Sequence, residues 1–211
     1  DADIRRVIPG HEELHKEIEA VVLEYVKNHV VNRIADLGTG TALTAERILK
    51  LVPKAKLIAN DFSEQMLGGA RKRLEGYDVE FSIGDYSEIN FGREFDIVVC
   101  VIGLHHQNAE GKKKVMQKVY DSLVPGGLFI LGDLVTYRDK AEAAYADARH
   151  YYHLVKNAED ETSLKEWAYH HKFLNDLAPL EDQVDWLNVS GFSKVEVRYK
   201  HLNTALIIAQ K

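Results

Sequence analysis

Arg33-Ile34-Ala35-Asp36-Leu37-Gly38-Thr39-Gly40-Thr41-Ala42 is the stretch that decides the fold. Apolar residues interleave with Asp36, and two glycines follow one residue apart. This reads as a short buried strand running into a tight turn. Leu43, Ile48, Leu49 and Leu51 then recur at helical spacing. Strand, glycine turn and helix, in that order, form the opening unit of a nucleotide-binding α/β fold. Glycine tolerates positive φ and has no Cβ, so a ligand can approach the backbone closely. Asp61 closes a second apolar run, Lys56–Asn60, 23 residues after Gly38. An acid at that strand tip is placed to accept hydrogen bonds from both hydroxyls of a ribose.

The third glycine of a dinucleotide fingerprint is missing, and Leu43 follows Gly-Thr-Gly-Thr-Ala instead. The turn is therefore not built to seat a pyrophosphate, which argues against NAD. It resembles motif I of the class I S-adenosylmethionine (SAM) methyltransferases, in the form Asp-x-Gly-x-Gly-x-Ala. A second match is Leu123-Val124-Pro125-Gly126-Gly127, similar to the Leu-x-Pro-Gly-Gly turn of those enzymes. The resemblance covers residues 11–211. It implies SAM as cofactor, held by Asp36, Gly38, Thr39 and Gly40 at the turn, and by Asp61, Phe62 and Met66 at and after the second strand. Asp85 would bind the adenine amine and Tyr86 would flank the ring. Ile102 would pass under the methionine part at the end of the fourth strand.

The implied fold is a Rossmann-like, doubly wound seven-stranded sheet in order 3-2-1-4-5-7-6, with strand seven antiparallel. The residues themselves support the succession of strands: 33–37, 56–60, 79–83, 95–102, 128–131, 193–199 and 203–209. Helices are expected over 11–30, 42–51, 63–76, 111–122, 138–157, 163–177 and 179–189. The whole chain, 1–211, reads as one SAM-binding domain, with 135–178 as a helical lid insertion.

Ten histidines stand in clusters. Gly103-Leu104-His105-His106 follows the fourth strand, where a histidine can act as base or hydrogen-bond donor toward an acceptor. His150 and His153 share a face of the lid helix at i, i+3. These four are the candidate catalytic residues, and the lid histidines and tyrosines are expected to line the acceptor pocket. His11 and His15 lie near the site if the first helix covers the cleft. No His-Glu-x-x-His or comparable spacing is present, so no metal is expected. Lys112-Lys113-Lys114 reads as a solvated helix face.

The chain has 211 residues and a net charge of −6, which disfavours broad nucleic-acid binding. Asn-Pro-Pro-Tyr, the mark of amino-group methyltransferases, is absent after strand four. A small-molecule acceptor is what remains, and its nucleophile, O, N or C, stays open. No run of apolar residues has membrane-spanning length and no signal peptide is read, so a soluble cytoplasmic protein with no membrane partner is expected. The single cysteine, Cys100, reads as a buried inert thiol. A homodimer is compatible with the sequence. Carboxy-SAM synthase, a tRNA-modification enzyme, is a similar family, but no arginine between His150 and Asp185 can hold its extra carboxylate. A non-catalytic SAM-binding regulator would carry the same motifs. An NAD(P) oxidoreductase would share the fold but is disfavoured by the missing third glycine.

Overall fold

The computed structural model describes residues 2–90 and 92–211, and for Ala2 and Asp3 the backbone alone. Seven strands form one sheet in the order β3-β2-β1-β4-β5-β7-β6. They are β1 (Arg33–Leu37), β2 (Lys56–Asp61), β3 (Val79–Ile83), β4 (Phe95–Val101), β5 (Leu123–Leu134), β6 (Lys194–His201) and β7 (Thr204–Gln210). The first five run parallel, and β7 is antiparallel to both β5 and β6. The order expected from the resemblance is the observed one.

Helices cover both faces, and this explains the unbroken apolar runs of the central strands. One face packs Leu14, Ile18 and Val22 of α2 (His11–Tyr25) with Ile48 and Leu49 of α3 (Leu43–Leu51) and Ala70 of α4 (Glu64–Arg73). The other packs Val115, Met116 and Val119 of α5 (Ala109–Ser122) with Leu187 of α8 (Leu180–Val189). Ser63 caps α4 by accepting from the Met66 N–H, as its position before the helix implies. Cys100 is buried, and burial pushes its thiol pKa up.

Several boundaries differ from the sequence reading, each for a local reason. Residues 2–7 form an additional helix, α1 (Ala2–Val7). The helix expected over 11–30 stops at Tyr25, whose hydroxyl donates to the Asp96 and Gly126 carbonyls. The chain then turns to enter β1, where the Asn32 and Arg33 N–H groups donate to the Asp96 carboxylate. β5 begins at Leu123 rather than 128, because Leu123 already pairs with Phe95 of β4 and the Pro-Gly-Gly segment forms the irregularity before pairing resumes at Leu128. Lys112 is not part of a solvated face: it is 1% exposed, and its ammonium donates to the carbonyls of Gln107 and Asp176. A solvated-face reading treats three consecutive lysines alike, but helical spacing turns only the first of them inward.

The insertion between β5 and α8 holds α6 (Lys140–Asn157) and α7 (Glu161–Phe173). α7 buries none of its residues, and it ends at Phe173 rather than continuing to 177. The returning chain is instead pinned to the turn after β4, where the Asp176 N–H donates to the His105 carbonyl at 2.8 Å.

Candidate active site

At the carboxyl ends of β1, β2 and β4 lies a cavity of about 790 Å³. This edge of an open α/β sheet is where ligands bind. One end is made mostly of backbone. Gly38, Gly40 and Ala42 have φ of +71°, +54° and +64°, so every second residue of the turn is left-handed. The Thr39, Gly40 and Ala42 N–H groups donate to the Asn60 carbonyl, the Asp61 carboxylate and the Thr39 carbonyl, which fixes the turn. A Cβ on Gly40 would meet nothing within 4 Å, so that position opens into the cavity. A Cβ on Gly38 would press on the Tyr86 ring at 3.4 Å.

Two acids frame this end. Asp61 accepts from the Gly40 N–H at 2.8 Å with one carboxylate oxygen and from the Ser63 N–H at 2.9 Å with the other. A carboxylate has about four acceptor sites, so lone pairs remain for ligand hydroxyls. Asp85 uses one oxygen to accept from the Ser87 N–H and stands exposed at the cavity wall. Between the acids, Phe62 is 77% exposed and Met66 is 46% exposed, an apolar surface beside polar groups. Ile102 closes the floor with φ +51°, an outlier for a β-branched residue, held by its N–H to the Gly132 carbonyl.

Two expected ligand contacts belong beneath this end rather than in it. Asp36 does not line the cavity. It is buried, accepts from the Thr39 hydroxyl at 2.6 Å, and has a pKa raised to about 7 by burial. Asp36 thus stiffens the turn from behind. Tyr86 borders the cavity but is largely buried, and its hydroxyl donates to the Gly103 carbonyl. It is a pillar between the glycine turn and the end of β4, not an open stacking surface.

The other end is made of side chains: His106, Gln107, His170 and Leu174, with Ile4, His11, His15 and Thr44 on the α2 side. His15 donates from Nδ1 to the His11 carbonyl, so its Nε2 accepts from the Thr44 hydroxyl. Burial, with His15 and Arg5 adding to it, lowers the His11 pKa to about 4, and its Nδ1 is buried without a partner. His106 donates from Nδ1 to the Leu174 carbonyl at 3.1 Å, which leaves Nε2 as its lone-pair nitrogen. Burial, then the neighbouring His105, pushes the pKa of both His106 and His170 down, so both rings are neutral near pH 7.

The remaining expected histidines sit elsewhere. His105 is buried under His106, with Nδ1 2.5 Å from the Asp133 carboxylate and its own N–H donating to the same group. His150 and His153 do not line the cavity. His150 is 1% exposed, donates from Nε2 to the Val7 carbonyl and accepts from Asn203 at Nδ1. His153 bonds the Arg6 carbonyl. The two rings satisfy the open carbonyls at the end of α1. They share a helix face as their spacing implies, but that face packs against α1, a helix that the residue pattern does not announce. The lid tyrosines Tyr145, Tyr151, Tyr152 and Tyr169 are exposed and do not line this cavity. His170, Gln107 and Leu174 carry no sequence signal that marks them as site residues. His170 stands beside His171 in the last turn of α7, and no local pattern says that His170 faces the cavity while His171 packs on His150 of α6.

The sheet order, the glycine turn under β1 and the acids after β2 and β3 together define the fold of the SAM-dependent methyltransferases. Residues 34–127 match the family model described as a methyltransferase domain. Among curated relatives, a carboxy-S-adenosyl-L-methionine synthase of Chromohalobacter salexigens is 26% identical over 217 residues, covering 99% of this chain and 78% of that protein. Among solved structures, an O-methyltransferase family protein from Burkholderia thailandensis superposes with a TM-score of 0.69 at 19% identity, over 94% of this chain and 56% of that one. The SAM-dependent methyltransferase SibL gives 0.64 at 19% identity, over 89% of this chain. The chain thus spans about half the length of the solved proteins it resembles, 52% in the case of SibL. Among the described residues, no helix is long and apolar enough to cross a membrane.

Proposed function

We propose that this chain transfers the methyl group of SAM to a small-molecule acceptor. The observation that carries the reading is the two-ended cavity: a backbone cradle with two acids at one end and neutral imidazoles under the lid at the other. The residues present fit SAM. Asp61 has acceptor sites for ribose hydroxyls, Asp85 has an oxygen for the adenine amine, and Phe62 and Met66 offer apolar surface to the base. The left-handed turn leaves open space at Gly40 where a side chain would stand. Bound SAM supplies a sulfonium-activated methyl group.

The protein's task is chiefly to align donor and acceptor and to keep water out. Asp36 and Tyr86 hold the turn rigid. The lid, residues 135–178, covers the acceptor end and brings His170 and Leu174 to it. Its return is fixed by Lys112 on the Asp176 carbonyl, the Asp176 N–H on His105, and His106 on the Leu174 carbonyl. Neutral His106 can orient an acceptor or take its proton through Nε2. A cytoplasmic setting and a small-molecule partner accord with this reading, and a second copy of the chain is an allowed partner.

The relatives favour a second reading, a carboxy-SAM-synthase-like activity. Against it, no lysine or arginine lines the cavity among the described residues, so nothing there offers a permanent positive charge to an added carboxylate. The experiment is transfer of labelled methyl from SAM to a panel of hydroxyl, amine, thiol and carbon acids, run beside an assay for carboxy-SAM. Methyl transfer supports the proposal, and carboxy-SAM as the sole product contradicts it.

A further inference from the structure

We propose that His105, His106 and His170 form a binding site for one divalent transition-metal ion at the acceptor end of the cavity. One ring nitrogen from each of the three lies within 4.8 Å of the others. Two elements supply them, the turn after β4 (Leu104–His106) and the last turn of α7.

The hydrogen bonds around the rings are those a metal site needs. A ligating histidine has its second ring nitrogen tied to a carboxylate or a backbone carbonyl, which fixes the tautomer and aims the other nitrogen. His105 has Nδ1 on the buried Asp133 carboxylate at 2.5 Å. His106 has Nδ1 on the Leu174 carbonyl at 3.1 Å. Both therefore leave Nε2 as the nitrogen available to an ion. Asp133 is itself held by the N–H groups of His105 and Leu134, so the first ligand is braced by a carboxylate that cannot swing away. That buried carboxylate also supplies negative charge behind the site.

Three imidazoles and no carboxylate in direct reach select Zn²⁺, Co²⁺, Ni²⁺ or Fe²⁺ over Mg²⁺ and Ca²⁺, which prefer oxygen ligands. Metal–nitrogen distances of about 2.0–2.1 Å put tetrahedral ligand atoms roughly 3.4 Å apart. The histidines must therefore close by about 1.5 Å or less. His170, on the unburied helix α7, is the ligand able to move. Three protein ligands leave a fourth position open. His106 and His170 border the cavity, so that position faces the acceptor. A hydroxyl, thiol or enol acceptor would bind there as its anion, its proton released to water, so that with an ion bound the ion rather than His106 Nε2 activates the acceptor. This use of the ion rests on the methyl-transfer reading; the site itself does not.

The test is a titration of the full chain, freed of metal by chelator, with Co²⁺ followed by visible absorption and with Zn²⁺ by calorimetry. One ion per chain is expected, with the intense visible bands of tetrahedral Co²⁺. H106A and H170A should each weaken binding by at least ~100-fold, the upper range of losses seen on removing even an outer partner. H29A, whose ring stacks on Tyr25 away from the cavity, should bind as the parent does. Circular dichroism and S-adenosylhomocysteine affinity are measured on each variant, and H106Q and H170Q replace any alanine variant that does not fold. Absence of Co²⁺ and Zn²⁺ binding by the parent chain, or binding unchanged in both variants, overturns the site. Metal binding in a chain that does not bind S-adenosylhomocysteine would uphold the site and sink the SAM reading instead.

Discussion

The two ends of the cavity are built from different materials. At the glycine turn, position is set by backbone: left-handed residues at 38, 40 and 42, and carboxylates clamped to N–H groups at strand tips. At the lid end, position is set by side chains that meet across long stretches of sequence, such as His106 with Leu174 and Lys112 with Asp176. Backbone geometry of the first kind is written in local residue choice. Contacts of the second kind depend on where a helix lands. A backbone-built end beside a side-chain-built end is also what lets one fold serve different ligands.

The largest effect expected at the donor end is loss of SAM binding in G38V. A β-branched residue at φ +71° is strained by about 1–3 kcal/mol, and its branch would press on Tyr86 beneath the turn. Calorimetry with S-adenosylhomocysteine should show no saturable binding, while normal affinity would mean that the turn is not the cradle. D61A should follow, with at least a ten-fold loss from hydrogen bonds to ribose of roughly 1.5–3 kcal/mol each. Because Asp61 also holds Gly40 and Ser63, D61A should lower the melting temperature as well. A variant that loses affinity without losing stability would show that those two contacts are idle.

The lid end should respond differently. H170A should cut methyl transfer while leaving S-adenosylhomocysteine affinity within a few-fold of the parent. Equal loss of both would erase the distinction between the ends. H150A should do neither, because His150 bonds the end of α1 rather than the cavity. It should instead cost about 1–3 kcal/mol of stability by leaving buried groups unpaired.

The legibility of the chain follows the same division. β1, β3, the cap at Ser63 and the places of Asp61 and Asp85 at the cavity wall are readable because strand alternation, glycine and capping signals are local. The lid is readable as two helices but not as a surface. His150 and His153 share a face by their spacing alone, yet the partner of that face is α1, and nothing in residues 140–157 names it. Lys112 shows the same limit: a lysine between other lysines gives no sign that two carbonyls wait for it. The motif places Asp36 at the turn, but its burial, which decides between contact and support, depends on packing against β4.

Among the smaller effects, stability should fall on acidification. Burial depresses the His150 pKa to about 3 in the folded chain, against about 6.5 unfolded. Protonation therefore favours the unfolded state, so the stabilisation present above pH 6.5 is lost progressively as pH falls toward 3. Between pH 7 and pH 5 the His150 contribution is about 2 kcal/mol. Urea denaturation at the two pH values should show the drop, and H150Q should flatten it. An equal pH dependence in H150Q would assign the titration to other groups, with His11 the first to test.

The central claim is that the glycine turn and its two acids hold SAM. Calorimetric titration of the chain with SAM, S-adenosylhomocysteine and NAD tests it most directly. One saturable site for each sulfur nucleoside, weakened in D61A and absent for NAD, is the expected result. Saturable NAD binding with no heat from SAM or S-adenosylhomocysteine would contradict it.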